Sequence, residues 1–252
     1  MQQAIYTAAQ PVITKAGKVF EQYYITLRKK ENRIYSDEEL SLLPDISSSH
    51  PHFSEWVIRK RSARKLLTYL SAKRKELSIL ETGCGNGWLS HQLSEIRGST
   101  LTATDINLTE LEQAASVFGH KANLRFIYGD IRDDIFINKF DIIIFAASIQ
   151  YFSSLREIIN TALGHLKPSG EIHIIDSPFY KAKDIDKAKQ RTIDYYMQLN
   201  MPEMADHYFH HSFRQLSAFR YSSLYDPGYL WNRWKNNNHP FPWIRIKTSA
   251  VT

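Results

Sequence analysis

The sequence predicts an α/β chain, a parallel sheet covered by helices on both faces and preceded by a helical N-terminal stretch. Three observations carry this. From Leu77 onward short apolar runs alternate with amphipathic stretches, the run "FDIIIFAAS" is apolar on both of its alternating faces, and a corner bearing three glycines, "ETGCGNG", joins the first run to the first amphipathic stretch. Runs separated by helical stretches require crossover connections, and those bury a sheet on both sides.

Each element follows from local pattern. A helix is expected around Thr14–Lys29, and "SDEE" marks a second helix start with acids in its first turn. From Ser54 to about Lys75, Trp56, Val57, Ala63, Leu66, Leu67 and Leu70 form a helical stripe with basic residues opposite. Then "LSILET" reads as a strand, "GWLSHQLSEI" as a helix and "STLTATD" as a strand. "NLTELEQAASVF" is a helix capped by Asn107, and "NLRFIYGD" is a strand. "FDIIIFAAS" is the central strand, "SLREIINTALGHL" a helix, "KPSG" a turn and "EIHIIDS" a strand. Beyond Ser177, helices are expected at "DIDKAKQRTIDYYMQLN", "HHSFRQLSAF" and "GYLWNRWKN", with strands at "RYSSLYD" and "PWIRIK". The aromatic run "LSAFRYSSLYDPGYLWNRW" is expected to pack the outer sheet edge.

The 252 residues suffice for one large domain or two small ones. One cysteine, Cys84, excludes an internal disulfide framework and a cysteine-rich zinc site. The N-terminus lacks a basic region followed by an apolar core, so a cytoplasmic location is expected. The longest apolar run, "IIIFAASI", falls far short of the ~18 residues a membrane helix needs. Residues 1–80 hold 14 Lys and Arg against 8 Asp and Glu, whereas residues 81–252 hold 18 of each, so the formal charge of +6 lies in the N-terminal third. Such clusters read either as the solvated faces of helices or as an attraction for an anionic partner.

The glycines of "ETGCGNG" are Gly83, Gly85 and Gly87. A strand, a glycine corner and a helix present a ligand to backbone N–H groups, and a Cβ at the middle glycine would obstruct its approach. The third glycine comes one residue earlier than in a dinucleotide fingerprint, and Glu81 precedes the corner. A carboxylate there repels a pyrophosphate and welcomes a cationic amine. Singly, Glu81 reads as a solvent-facing strand end and Asp105 and Asp130 as helix caps. Together, at the carboxyl ends of successive strands, they read as a ligand site.

This combination resembles the class I S-adenosylmethionine-dependent methyltransferases, in register over residues ~77–177. The resemblance implies a Rossmann-like sheet of seven strands, mostly parallel, with helices on both faces and an antiparallel last strand at "FPWIRI" (241–246), behind an N-terminal helical extension. It implies methyl transfer from S-adenosylmethionine, with S-adenosylhomocysteine as product. Cofactor contacts are then implied from Glu81, Gly83, Cys84, Gly85 and Gly87. Asp105 would hold both ribose hydroxyls, Asp130 would lie near the adenine amino group, Ile106 and Ile131 would sandwich the ring, and Ala146 would end the fourth strand. The Gly-Phe pair that often precedes the family's sixth strand is not found.

On this reading the transferase methylates a small-molecule acceptor by direct in-line transfer, and Gln150 and Tyr151 are the catalytic candidates facing the methyl. Residues 1–75 would form a lid and 76–252 the cofactor-binding domain, with 178–240 as a substrate-side wall. An aromatic wall and a basic lid suit an acceptor with a ring or an anionic group. His50 and His52 could fold over the cofactor mouth. His207, His210 and His211 read as surface or packing residues, and no metal site is expected. A nucleic-acid methyltransferase is the first alternative, but the fourth strand ends in "AASIQYF", not the N/D-P-P-Y/F/W pattern of amino-group nucleic-acid methylases. A non-catalytic cofactor-binding domain is the second, and a nicotinamide oxidoreductase is disfavoured by Glu81. No membrane span is expected, and the sequence leaves the oligomeric state open.

Overall fold

The computed structural model describes residues 6–7, 15–133, 135–136, 138–228 and 239–248. The helix expected over 228–236, Gly228 apart, lies outside the described residues.

A two-residue strand, β1 (Tyr6–Thr7), precedes helices α1 (Lys15–Lys30), α2 (Asp37–Leu42) and α3 (Phe53–Ser71). α2 starts where its acids suggest. Ser36 Oγ accepts the Glu39 N–H at 3.2 Å while the Glu39 carboxylate accepts the Ser36 N–H at 2.9 Å, a reciprocal capping box. The alternating section then runs β2 (Leu77–Thr82), α4 (Trp88–Ser94), β3 (Ser99–Asp105), α5 (Leu108–Phe118), β4 (Leu124–Tyr128), β5 (Phe140–Ala146), α6 (Leu155–Gly164) and β6 (Leu166–Ile175). Asn107 caps α5 by accepting the Glu110 N–H at 3.2 Å. The chain ends with α7 (Ile185–Gln198), α8 (Phe213–Leu216), β7 (Tyr221–Tyr225) and β8 (Trp243–Lys247).

The sheet order is β1-β4-β3-β2-β5-β6-β8-β7. It is parallel from β1 to β6, and β8 runs antiparallel to both β6 and β7. The seven expected strands are present, and β1 adds an eighth at the β4 edge. Strand periodicity divides the core. Ile79, Ile142 and Ile144 pack with α3, α4 and α5 on one face, while Leu80, Ile143 and Phe145 pack with α6 and α8 on the other. From β2 the chain moves outward to β3 and β4, then returns to β5 on the other side of β2. Ligands of open α/β sheets bind at the carboxyl ends beside such a reversal.

Two elements depart from expectation. "KPSG" lies inside β6, not ahead of it. Phe140 pairs with Leu166 but Ile142 pairs with Glu171, so residues 167–170 bulge out of register, with Ser169 at φ 64°. The helix expected over "HHSFRQLSAF" shrinks to α8, because Ser212 is extended and bridges to Tyr180.

The C-terminal end of α3 is tied to the sheet by a buried acid. Glu171 is 3% exposed, and its carboxylate takes Lys73 Nζ at 2.8 Å, the Tyr69 hydroxyl at 2.9 Å and Lys247 Nζ at 3.3 Å. His173 accepts the Trp243 indole N–H on Nδ1 at 3.0 Å and so donates Nε2–H to the same carboxylate at 3.3 Å. These donors overcome the burial penalty and hold the Glu171 carboxyl well below the usual range. Glu171→Gln is expected to cost about 2–4 kcal/mol, because the lysines lose their buried counter-charge. The urea midpoint of the variant checks this.

Candidate functional site

The glycine corner leaves β2 with all three glycines in the left-handed region, at φ 72°, 52° and 72° for Gly83, Gly85 and Gly87. A Cβ on Gly83 would lie 2.5 Å from the Ser148 Cβ, and one on Gly87 would lie 2.8 Å from the Phe126 ring and 2.9 Å from the Ala114 Cβ. At Gly85 the first contact is a Glu110 carboxylate oxygen at 3.1 Å. The outer glycines are therefore required by the protein's own packing, and the middle one has the most room.

Asp105, at the end of β3, holds the corner in shape. Its carboxylate accepts the Gly85 N–H at 2.6 Å and the Asn107 N–H at 2.8 Å. Burial pushes its carboxyl up to about 6 despite those bonds. Glu81 is 2% exposed and accepts the Ser90 hydroxyl, and burial pushes it up to about 8. Glu110 of α5 is pushed up to about 7 by burial, with the Arg28 guanidinium opposing. Cys84 is buried in the corner, and its N–H bonds the Thr104 carbonyl at 3.0 Å.

Three cavities meet at this edge. One, of about 350 Å³, is lined by Asp105, Ile106, Gly129 and Asp130 beyond β3 and β4, by Phe20 and Tyr24 of α1, and by Phe152. A second, of about 60 Å³, lies along the corner and is lined by Glu81, Gly83, Cys84, Gly85 and Ala146, with Arg28 and Arg59 reaching in from α1 and α3. The third, of about 610 Å³, is lined by Gln150, Tyr151 and Asp176, by tyrosines 180, 195, 196 and 208, and by arginines 28, 33, 59 and 191. Gly83 borders the first two and Tyr151 the first and third, while Ala147 lines all three. Ala147 itself sits at φ 53°, a left-handed conformation rare for a residue with a Cβ.

The predicted residues are largely brought together here, with exceptions. Ile131, expected beside an adenine, is fully buried in the core with Leu80 and Phe145, and the outward position falls to Arg132. Asp130 does face the cavity, but Arg132 grips it through Nε and Nη2, each at 2.8 Å. Gln150 donates to the Ala147 carbonyl at 2.7 Å, and its Oε1 is buried without a partner. Burial raises the Tyr151 hydroxyl above its ordinary value, so it stays a neutral phenol. His50 and His52 do not line these cavities; His52 instead bonds the Glu31 carbonyl at 2.8 Å. The other histidines diverge. His207 packs on Phe20 and lines the first cavity, His210 bonds Thr192 at 2.9 Å, and His211 bonds the Ile149 carbonyl at 3.1 Å.

Sequence reasoning missed two contributors. α1 supplies Phe20, Tyr24 and Arg28; the stripe Phe20, Tyr23, Tyr24, Leu27 was the available signal. Asp176 follows β6 at φ 54° and takes the Ser62 hydroxyl at 2.8 Å and His239 Nε2–H at 3.0 Å. Nothing in "IIDS" announces a left-handed aspartate.

Sheet order, antiparallel closure and an acid-flanked glycine corner at the switch point define the class I, Rossmann-like methyltransferase fold. Residues 79–170 match the family model described as a methyltransferase domain. That stretch is thus similar to a methyltransferase domain, within a fold of the class I type. It is 33% identical over 119 residues to the malonyl-[acyl-carrier protein] O-methyltransferase of Priestia megaterium, covering 46% of this chain and 43% of that one. The enzyme of the same description from Halalkalibacterium halodurans is 29% identical over 123 residues, 45% of each chain. The matches therefore span less than half the length of these relatives. Among solved structures, magnesium protoporphyrin IX methyltransferase from Synechocystis with bound S-adenosylhomocysteine superposes with a TM-score of 0.59 at 15% identity, over 92% of this chain and 99% of that one. The N-methyltransferase NodS from Bradyrhizobium japonicum gives 0.52 at 14%, over 88% and 98%. At these identities the likeness is one of fold. Among the described residues no helix is long and apolar enough to cross a membrane.

Proposed function

We propose that the chain transfers a methyl group from S-adenosylmethionine to a small acceptor held in the 610 Å³ cavity. The observation that carries this is Ala147, where a nucleoside-sized cavity, a small cavity flanked by acids and arginines, and a large aromatic cavity converge. The residues fit the cofactor's chemistry. Asp105 offers a carboxylate to a ribose diol, Ile106 and Phe152 offer apolar surface to a base, and Glu81 offers a carboxylate to an ammonium. When bound, the cofactor supplies an electrophilic methyl on a cationic sulfur.

The chain's residues then align and enclose. Phe20, Tyr24 and Tyr151 contact one another, with Tyr24 edge-on to Tyr151 at 5.6 Å, and shield the junction from water. With them, residues 1–75 act as a lid, and 178–240 supply the facing wall. Gln150 turns its free Oε1 toward an acceptor proton donor, and Tyr151 orients the acceptor as a neutral hydroxyl. Asp176 is the carboxylate on the acceptor side that can take a proton released on methylation, steadied by Ser62 and His239. The tyrosine wall and the arginines favour an acceptor with a ring or an anionic group. The buried thiol of Cys84 fits the reducing cytoplasm this reading supposes.

Methyl-tritiated S-adenosylmethionine, incubated with the protein and in separate tubes with ultrafiltered metabolites, RNA or an acyl carrier protein, tests the reading. Label in the metabolite fraction supports it. Label only in RNA or on the carrier replaces the acceptor class, and no transfer anywhere favours a binding-only domain.

The three raised acids make binding pH-dependent. A carboxyl whose folded value exceeds its unfolded one destabilises the fold as pH rises between the two, because the unfolded chain gives up its proton first. Asp105, Glu110 and Glu81 therefore lower the stability of the free protein from about pH 4 up to about 8. Glu55, held near 2 by Arg33 and Arg59, contributes steadily throughout that window. An ammonium group on the ligand favours an ionised Glu81, so calorimetric affinity for S-adenosylhomocysteine is expected to rise roughly tenfold from pH 6 to pH 8.

A further inference from the structure

We infer that the atom receiving the methyl arrives carrying a hydrogen, as a hydroxyl or an amine and not as a carboxylate, because Asp176 and Gln150 turn hydrogen-bond acceptors toward it from the sheet edge. This rests on the proposed transfer into the 610 Å³ cavity and goes beyond it by fixing the class of group that is methylated.

The sheet places Asp176 beside the point where the cavities converge. β5 and β6 stay paired as far as Ala146 and Ile175, and the Ala147 N–H then bonds the Ile175 carbonyl at 3.0 Å. Asp176 is the next residue after that contact. Neighbouring strands lie about 4.8 Å apart, so it stands at the side of Ala147. Both residues are left-handed, at φ 53° and 54°. Asp176 Oδ2 accepts the Ser62 hydroxyl at 2.8 Å and Oδ1 accepts His239 Nε2–H at 3.0 Å. Each oxygen of an ionised carboxylate accepts a second bond, so both still have one to offer. Asp176 lines the 610 Å³ cavity, and so does Pro178, which has no N–H to give.

Gln150 adds a second acceptor. It is 7% exposed and lines the same cavity. Its NH2 donates to the Ala147 carbonyl at 2.7 Å, which fixes the amide, because a flip would set oxygen against oxygen. Oε1 is then left buried without a donor. A buried acceptor in that state is costly, and a ligand X–H satisfies it.

A carboxylate at this position would meet a carboxylate and an amide oxygen, with no proton to give either. A hydroxyl or an amine donates to both. The arginines of the cavity, 28, 33, 59 and 191, belong to α1 and the turn after it, to α3 and to α7. They suit an anionic group elsewhere on the acceptor, while the reacting end faces the sheet. In the transfer, a lone pair of the acceptor oxygen or nitrogen forms the bond to the methyl carbon. The carbon–sulfur bond breaks with its pair going to sulfur, which leaves as a neutral thioether. The X–H pair stays on the acceptor atom, and the proton passes to Asp176.

The linkage in the product decides this on the wild-type chain alone. S-adenosylmethionine with an isotope-labelled methyl is incubated with the protein and ultrafiltered metabolites. Mild alkali releases a methyl ester as volatile methanol, and NMR shifts of the labelled methyl separate ether, N-methyl, S-methyl and C-methyl products. Alkali-stable label on oxygen or nitrogen is expected, and the shift tells hydroxyl from amine. Volatile methanol, or label on carbon or sulfur, overturns the inference. If no metabolite takes label, the proposed function itself falls. With the acceptor found, Asp176→Asn, which keeps an acceptor oxygen but takes no proton, should lower kcat by about 100-fold or more. KM and calorimetric affinity for S-adenosylhomocysteine should stay within about threefold, a split that a merely structural aspartate would not give. Gln150→Leu should instead raise KM roughly tenfold. An Asp176→Asn chain that melts near wild type and keeps its kcat overturns the inference.

Discussion

Asp105→Ala is expected to weaken S-adenosylhomocysteine binding by roughly 100-fold or more, the loss of two charge-assisted hydrogen bonds to a ribose diol. Part of the loss is indirect. The same carboxylate fixes the Gly85 N–H at 2.6 Å and the Asn107 N–H at 2.8 Å, so its removal loosens the corner against which the ligand lies. Asp105→Asn separates the contributions, because an amide keeps one acceptor oxygen and drops the charge. Titration of both variants, with their melting temperatures, checks the prediction. A variant that melts near wild type and fails to bind supports a ribose contact.

The second large effect is on folding. Gly83→Ala and Gly87→Ala each force a Cβ into protein atoms, Ser148 in the first case and Phe126 with Ala114 in the second, at left-handed φ values. Each is expected to cost about 2–4 kcal/mol, seen as a lower urea midpoint. Gly85→Ala should cost less, since the first atom it meets is the end of the flexible Glu110 side chain. The ordering changes what glycine substitutions test. Weak binding after changing Gly83 or Gly87 reports a distorted corner, whereas Gly85 is the position where an added side chain competes mainly with ligand.

The stretch from β2 to β6 was legible because its signals are local. Period-two apolar runs mark the strands, Asn107 marks a cap, and acids at strand ends mark the carboxyl edge. The antiparallel β8 was also legible, through "PWIRIK". What escaped depends on contacts distant in sequence. Arg28 belongs to "RKKENR", which reads as a solvated basic run, yet it turns inward to Tyr24 while Lys29 and Lys30 stay exposed. Charge composition does not show which member of a run faces the core. Asp176 acquires its setting from Ser62, 114 residues earlier, and from His239, 63 residues later. Ile131 was assigned by its place in a motif, but the turn after Gly129 sends it inward and leaves Arg132 facing the cavity. The edge strand β1 has only two residues, too few for any periodicity to register.

An adenosyl amino acid is expected to lie along the glycine corner with its sulfur at Ala147. The most direct measurement is a pair of calorimetric titrations of the wild-type chain at pH 8, one with S-adenosylhomocysteine and one with NAD. One saturable S-adenosylhomocysteine site, displaced by S-adenosylmethionine and indifferent to NAD, is the predicted result. Binding of NAD with none of S-adenosylhomocysteine would contradict the account.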